Sequence, residues 1–137
     1  MPPLRWLILG DMLVMALLVM IGFTTHGETG LAFLPRMAAA FVPLTLAWFG
    51  LAPWLGLFRP PIVADVRQGW RAALTMVFAG PLAALLRAIL LGTVVIPTFA
   101  VVFSGTAAVG MTIWRLIWAY ATSKAQRGER TNIPPEK

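Results

Sequence analysis

A stretch without a single charged side chain, Met37 to Leu57, constrains the fold of this chain more than any other feature. A helix of about 20 mostly apolar residues crosses the hydrocarbon core of a bilayer, because each residue advances the helix by about 1.5 Å. Three further stretches have the same apolar character. We therefore predict four membrane-spanning helices, over about residues 7–25, 37–57, 70–92 and 97–120.

The composition agrees with an all-α membrane protein rather than with a soluble domain. Of the 137 residues, 59% are hydrophobic and only 12% are charged, whereas about 25% of residues are charged in typical soluble domains. A soluble domain this short leaves a large fraction of its surface in water and could not bury so much apolar material. The lipid bilayer is therefore the expected environment of the chain.

The basic residues are divided unequally between the two sides that four spans define. Arg36 and Arg87 fall on the side of the first and third connections. The remaining basic residues fall on the side of both termini: Arg5, Arg59, Arg67, Arg71, Arg115, Lys124, Arg127, Arg130 and Lys137. Because cytoplasmic segments of membrane proteins are enriched in Lys and Arg, we predict that both termini lie in the cytoplasm.

The two ends of the chain lead to two further expectations. The first apolar stretch is expected to be a retained helix rather than a cleaved signal peptide, because no small-x-small cleavage site follows it. Residues 1–122 are predicted to form one transmembrane domain, and residues 123–137 a polar, disordered cytoplasmic tail. The net charge of +6 comes from basic residues that flank apolar stretches, so no nucleic-acid partner is expected.

Ionisable side chains within the spans are the strongest candidates for a functional site, since such groups normally face the bundle interior or pair with one another. Three such residues are Asp11, Arg87 and Arg115. Arg87 shares a helix face with a stripe of small residues, and Arg115 with small or weakly polar ones. Asp11 shares its face with Val14, Met15, Leu18 and Gly22, so each charge lies on a plausible packing face. Their depths suggest two polar layers. The cytoplasmic layer pairs Asp11 with Arg115 or Arg71. The outer layer contains His26 and pairs Glu28 with Arg87 or Arg36.

Other interpretations of these residues remain open at the level of sequence. The arginines can snorkel to the interface along their apolar stems, and Asp11 can handle a proton or a ligand. His26 and Glu28 could act as an acid–base pair or simply bond within their loop. No metal site and no cofactor are expected, because a metal needs three or more ligands. The six tryptophans are interpreted as interfacial anchors.

The order of several motifs resembles that of a known family. These motifs are "GDMLVMALLVMIGFTTHGE" (10–28), the pair Arg59-Pro60, "GWRAAL" (69–74), "GPLAALLRAILLG" (80–92) and "WR" (114–115). The chain resembles the family catalogued as domain of unknown function 3054. The resemblance implies an integral membrane protein of four helices in the plasma membrane of a bacterium or archaeon, and it implies no activity.

Three functions compete at this stage. The first is a structural or accessory membrane protein, with no enzymatic activity, that packs with itself as a homo-oligomer or within a larger membrane complex. The second is a small transporter or permease, proton-coupled through Asp11. The third, and the least supported by motifs, is a membrane enzyme that uses His26 and Glu28.

Overall fold

The computed structural model describes residues 2–131, and within that range it contains helices and turns but no strand. The five α-helices are α1 (Leu4–Thr25), α2 (Leu34–Leu51), α3 (Pro60–Val63), α4 (Trp70–Leu91) and α5 (Pro97–Thr131). Short 3-10 turns, Leu31–Phe33 and Val66–Gln68, precede α2 and α4. Helices α1, α2, α4 and α5 are long and apolar enough to cross a membrane. Their number and approximate positions agree with the sequence prediction.

The four long helices form a bundle in which each packs against two others. Helix α4 packs against α2 on one side and α5 on the other, and α1 closes the ring by contacting α2 and α5. The predicted stripe of small residues on α4 faces this interior, with Ala72, Ala83 and Ala84 buried. A β-carbon on Gly80 would overlap Ser104 of α5. Small residues therefore bring the backbones of α4 and α5 close together.

The surface of the bundle is apolar while several polar side chains are inside it. Leu46, Ile89 and Val101 are 64%, 67% and 72% exposed, and many other large apolar side chains of the long helices are exposed as well. Asp11 and Arg115, in contrast, are buried. This distribution is the reverse of that expected for a domain folded in water.

The second span ends earlier than the sequence predicted. Helix α2 stops at Leu51 rather than continuing to residue 57, and residues 52–58 form a compact turn. Pro53 has no N–H to continue the helical hydrogen bonds, and Gly56 has a φ of 72°, which favours glycine. The turn folds back on the helix end, where the N–H of Leu57 donates to the carbonyl of Ala52 at 3.1 Å.

The polar C-terminal segment also differs from the prediction of a disordered tail. Helix α5 continues past the expected end at residue 120 and reaches Thr131, with residues 124–131 exposed. Good helix formers dominate this extension, and adding a residue to an existing helix avoids the cost of nucleation. Residues 132–137, the rest of the predicted tail, lie outside the described part of the chain.

Candidate functional site

The carboxylate of Asp11 is in the interior of the bundle, about two turns into α1. Four side chains of α1 recur at intervals of four residues along its buried face: Leu7, Asp11, Met15 and Val19. This spacing places them in one row on the helix. Asp11 has no exposed surface. Asp11 therefore lies on the face of α1 that packs against the other helices, as the sequence suggested.

Four hydrogen bonds converge on the Asp11 carboxylate. Oδ1 accepts from Nε of Arg115 at 3.0 Å and from Nε1 of Trp114 at 2.9 Å. Oδ2 accepts from Nη2 of Arg115 at 2.5 Å and from Nε1 of Trp48 at 3.0 Å. An ionised carboxylate offers about four lone-pair positions. The two oxygens of Asp11 are therefore fully used by donors from α2 and α5.

The Arg115 guanidinium makes further contacts besides those with Asp11. Its third donor, Nη1, donates to the backbone carbonyl of Leu57 at 2.6 Å. Its central carbon lies 5.3 Å from the ring centroid of Trp48 and 5.2 Å from that of Phe58. Aromatic faces attract a guanidinium at such distances. Arg115 thereby connects α5 both to α1 and to the turn that follows α2.

We call Asp11, Trp48, Trp114 and Arg115 the Asp11 cluster. It joins three of the four long helices and, through Leu57, the 52–58 turn. A bidentate guanidinium–carboxylate pair fixes the direction as well as the distance between its partners. The arrangement thus sets the positions of α1, α2 and α5 relative to one another.

Arg71, the other predicted partner of Asp11, binds elsewhere. Its Nε donates to Oε1 of Gln68 at 2.7 Å, and its Nη1 donates to the carbonyl of Leu55 at 2.8 Å. The guanidinium also lies 5.2 Å from the ring centroid of Trp70. Of the two arginines that the sequence left open, the structure brings Arg115 to Asp11. Arg71 instead supplies a second contact to the 52–58 turn.

The residues predicted for the other polar layer lie at the opposite end of the bundle. Glu28 and Arg36 approach each other at 3.5 Å, with side chains 37% and 55% exposed. An exposed pair of this kind contributes about 0–1 kcal/mol. His26 is exposed and follows the last residue of α1, with its backbone N–H bonded to Phe23.

Arg87 is not brought to a carboxylate. No acidic side chain of residues 2–131 lies within 4.0 Å of it. Its guanidinium carbon lies 4.7 Å from the ring centroid of Phe99, and its Nε is buried without a hydrogen-bond partner among the described residues. Of the two partners considered for Glu28, only Arg36 makes the contact.

A cavity of about 400 Å³ occupies the bundle at this end. All four long helices and the 92–96 connection contribute to its lining. His26, Glu28, Arg36 and Arg87 line one part of it, and mainly apolar side chains such as Leu18, with Thr93 and Thr106, line the remainder. The Asp11 cluster does not line this cavity.

The interpretation of all six tryptophans as interfacial anchors is wrong for two of them. Trp48 has no exposed surface, and Trp114 is half-buried with its indole N–H on Asp11. The signal in the sequence is that Trp48 shares a face with Leu44 and Ala52, four residues away on either side. Trp54, at 88% exposed, retains the exposure expected of an anchor.

Within residues 2–131, no group of three or more His, Cys, Asp or Glu side chains is placed to hold a metal ion.

No curated protein and no solved structure matches the chain. The sequence model of a family described as "Protein of unknown function (DUF3054)" matches residues 8–118. That range includes every residue of the Asp11 cluster and all four long helices in whole or large part. The chain belongs to this family of proteins of unknown function, DUF3054.

Proposed function

We propose that the protein is a multi-pass integral membrane protein of a prokaryotic plasma membrane, acting as a structural or accessory component and not as an enzyme. The observation that carries this proposal is the saturation of the Asp11 carboxylate by four hydrogen bonds. The most distinctive polar group of the chain is occupied in holding helices together. Its role is to specify the arrangement of the bundle.

The apolar exterior supports the membrane environment. Exposed leucine, isoleucine and valine side chains cover the long helices, and in water such a surface would associate or aggregate. In lipid the same surface is solvated by acyl chains, and helical segments satisfy their backbone polar groups internally. Pro43 and Pro81 lie within α2 and α4, where neighbouring helices of a membrane bundle tolerate them.

The distribution of charge supports an orientation with both termini in the cytoplasm. The end of the bundle at which α1 begins carries nearly all the basic residues, including Arg67 and the exposed extension of α5. Among residues 2–131, the opposite end has only Arg36 and Arg87. This asymmetry follows the enrichment of Lys and Arg on the cytoplasmic side.

The contacts of Asp11 favour a structural role over proton-coupled transport. A proton carrier must exchange its proton with water on each side of the membrane, and Asp11 has no exposed surface. Before water could reach the Asp11 carboxylate, two indole N–H groups and a guanidinium would have to move away from it together. Leaving any of these buried donors without a partner costs roughly 1–3 kcal/mol or more.

The contacts at the His26 end support the absence of catalysis. The Glu28 carboxylate is already engaged with Arg36, and both side chains are substantially exposed. A general base gains its strength from burial or from neighbouring groups that shift its proton affinity. Neither side chain is enclosed: His26 is exposed, and the Glu28 side chain is 37% exposed.

Single-cysteine labelling tests the topology, because the chain contains no cysteine of its own. Cysteines would be introduced at Thr29, Arg67 and Thr131, three exposed positions in different segments. A membrane-impermeant maleimide added to intact cells is expected to label only the Thr29 variant. Labelling of the Arg67 or Thr131 variant in intact cells would contradict the orientation.

The accessory role is tested by isolating the protein from its native membranes after cross-linking. We expect a homo-oligomer or a defined larger complex that survives gentle detergent extraction. A monomer without any co-purifying subunit, both with and without cross-linker, would contradict the proposal.

A further inference from the structure

We infer that the cavity at the His26 end is a binding site for an anionic amphiphile, a molecule with one carboxylate or phosphate group and an apolar chain. This inference does not depend on the structural role of the Asp11 cluster, which lies outside the cavity lining. It rests on the size of the cavity, on its division into a charged and a mainly apolar part, and on an arginine that has no carboxylate partner among residues 2–131.

The volume of the cavity is in the range of ligand pockets. At about 400 Å³ it exceeds the roughly 300 Å³ at which pockets begin to enclose small molecules. Along α1 its lining extends from Leu18 to His26, which corresponds to about 12 Å of helix at 1.5 Å per residue. The cavity is therefore long enough for an extended chain and not only for a single ion.

The charged part of the cavity has an excess of positive charge. Arg36 and Arg87 line it together with one carboxylate, that of Glu28. Two arginines against one glutamate leave one positive charge, and the 3.5 Å contact between Glu28 and Arg36 assigns that excess to Arg87. An anionic group is the ligand chemistry that compensates it.

Arg87 is placed to meet such a group. Arg87 lines the cavity, and its side chain makes no hydrogen bond or ion pair within residues 2–131. Its guanidinium carbon lies 4.7 Å from the ring centroid of Phe99. Buried donors are normally paired, because an unpaired one forfeits its hydrogen bond to water. A guanidinium carries a planar fork of N–H donors that suits carboxylate or phosphate oxygens.

The remaining walls determine the other half of the ligand. Leu18, Val19 and Phe103 lie deeper along the helices, together with Ala40 and Ala84. These side chains offer no hydrogen bond, so an inorganic anion alone would leave them in contact with water. An acyl or alkyl chain attached to the anion fills this part and removes its own apolar surface from water.

The test uses the purified full chain in a nonionic detergent, with binding measured by native mass spectrometry. The probes are laurate, dodecyl phosphate, dodecylammonium and inorganic phosphate. We expect one laurate or dodecyl phosphate per chain, and at least tenfold weaker binding of dodecylammonium and of inorganic phosphate. Equal binding of the cationic and anionic chains, or of phosphate with and without its chain, would overturn the inference.

Two variants locate the site. Arg87→Gln removes the charge and is expected to weaken laurate binding about tenfold or more, as for the loss of a charge-assisted hydrogen bond. Gly22→Leu fills the cavity, because Gly22 lines it and a β-carbon there meets nothing within 4 Å. Gly50→Leu is the matched control, an equally open glycine outside the lining. If laurate binds Arg87→Gln and Gly22→Leu as tightly as it binds the wild type, the inference is wrong.

Lipid extraction distinguishes the two sources of such a ligand. Anionic phospholipid that remains on the wild-type protein from native membranes, and is lost from Gly22→Leu but not from Gly50→Leu, identifies a membrane lipid. Laurate binding without retained phospholipid identifies a diffusible amphiphile. If the protein retains no anionic phospholipid and also binds no laurate, the inferred site is wrong. The proposed structural role of Asp11 is unaffected by that result.

Discussion

The indole of Trp114 lies against the backbone of Gly10, in the space that a β-carbon on Gly10 would occupy. From this position its Nε1 donates to Oδ1 of the neighbouring residue, Asp11, at 2.9 Å. The glycine and the aspartate thus act together. Gly10 leaves room for the Trp114 ring, and Asp11 accepts a hydrogen bond from the N–H of that ring. This contact explains why "GD" occurs within an apolar helix.

Gly10→Ala is expected to lower the stability of the folded protein, because the new methyl group would displace Trp114 from Asp11. Overpacking of a filled interior costs about 1–3 kcal/mol. Thermal unfolding in detergent, followed by circular dichroism, would measure the loss. Gly22→Ala on the same helix is the control, since a β-carbon there meets nothing within 4 Å. Equal effects of the two substitutions would contradict the role of Gly10.

Trp48 and Trp114 are each expected to contribute one hydrogen bond to the carboxylate. Replacing either by Phe should cost about 1.5–3 kcal/mol, the range for hydrogen bonds to charged groups. Trp118→Phe provides the comparison, because its indole N–H is buried without a partner among the described residues. That substitution should be neutral or stabilising in the same unfolding assay. A loss at Trp118 as large as at Trp114 would show that ring packing, and not the N–H, is responsible.

The sequence was sufficient for the long helices because each depends on a local property, an apolar stretch of membrane-spanning length. Starts at Trp70 and Pro97 were predicted as observed. The end of α2 was missed because it depends on Pro53 and on the left-handed turn at Gly56. The end of α5 was missed because a polar segment that extends an existing helix resembles a disordered one in composition.

The candidate site was predictable only in outline. Helical spacing placed Asp11 and Arg115 on packing faces, and similar depth suggested that they meet. Choosing Arg115 over Arg71 needed the position of the 52–58 turn, whose Leu55 and Leu57 carbonyls each accept from one of these arginines. Backbone acceptors in a turn leave no signature in the residue types, so the sequence could not assign them.

Arg71→Ala is expected to loosen the 52–58 turn without dismantling the Asp11 cluster. The substitution removes the hydrogen bond from Nη1 to the Leu55 carbonyl, so the amides of the turn should exchange with deuterium faster. Hydrogen exchange followed by mass spectrometry would detect the change. Arg67→Ala, an exposed arginine of the same connection, should leave the exchange of the turn unaltered. Unchanged exchange in Arg71→Ala would contradict its assigned role.

Gly80→Ala is expected to separate α4 from α5, because the added methyl group would overlap Ser104. We expect a loss of about 1–3 kcal/mol in detergent unfolding. Gly105→Ala is the matched control on α5, where a β-carbon meets nothing within 4 Å. If the two variants unfold at the same temperature, the close approach of the helices at Gly80 is not a source of stability.

A double-mutant cycle on Asp11 and Arg115 tests the central claim most directly. Asp11→Asn and Arg115→Met each leave one buried charge without its partner, which costs about 3–5 kcal/mol when a buried pair is broken. The double variant removes both charges, so its free energy of unfolding in detergent should fall by clearly less than the sum of the single losses. Losses that add within about 0.5 kcal/mol would contradict the claim that this pair holds the bundle together.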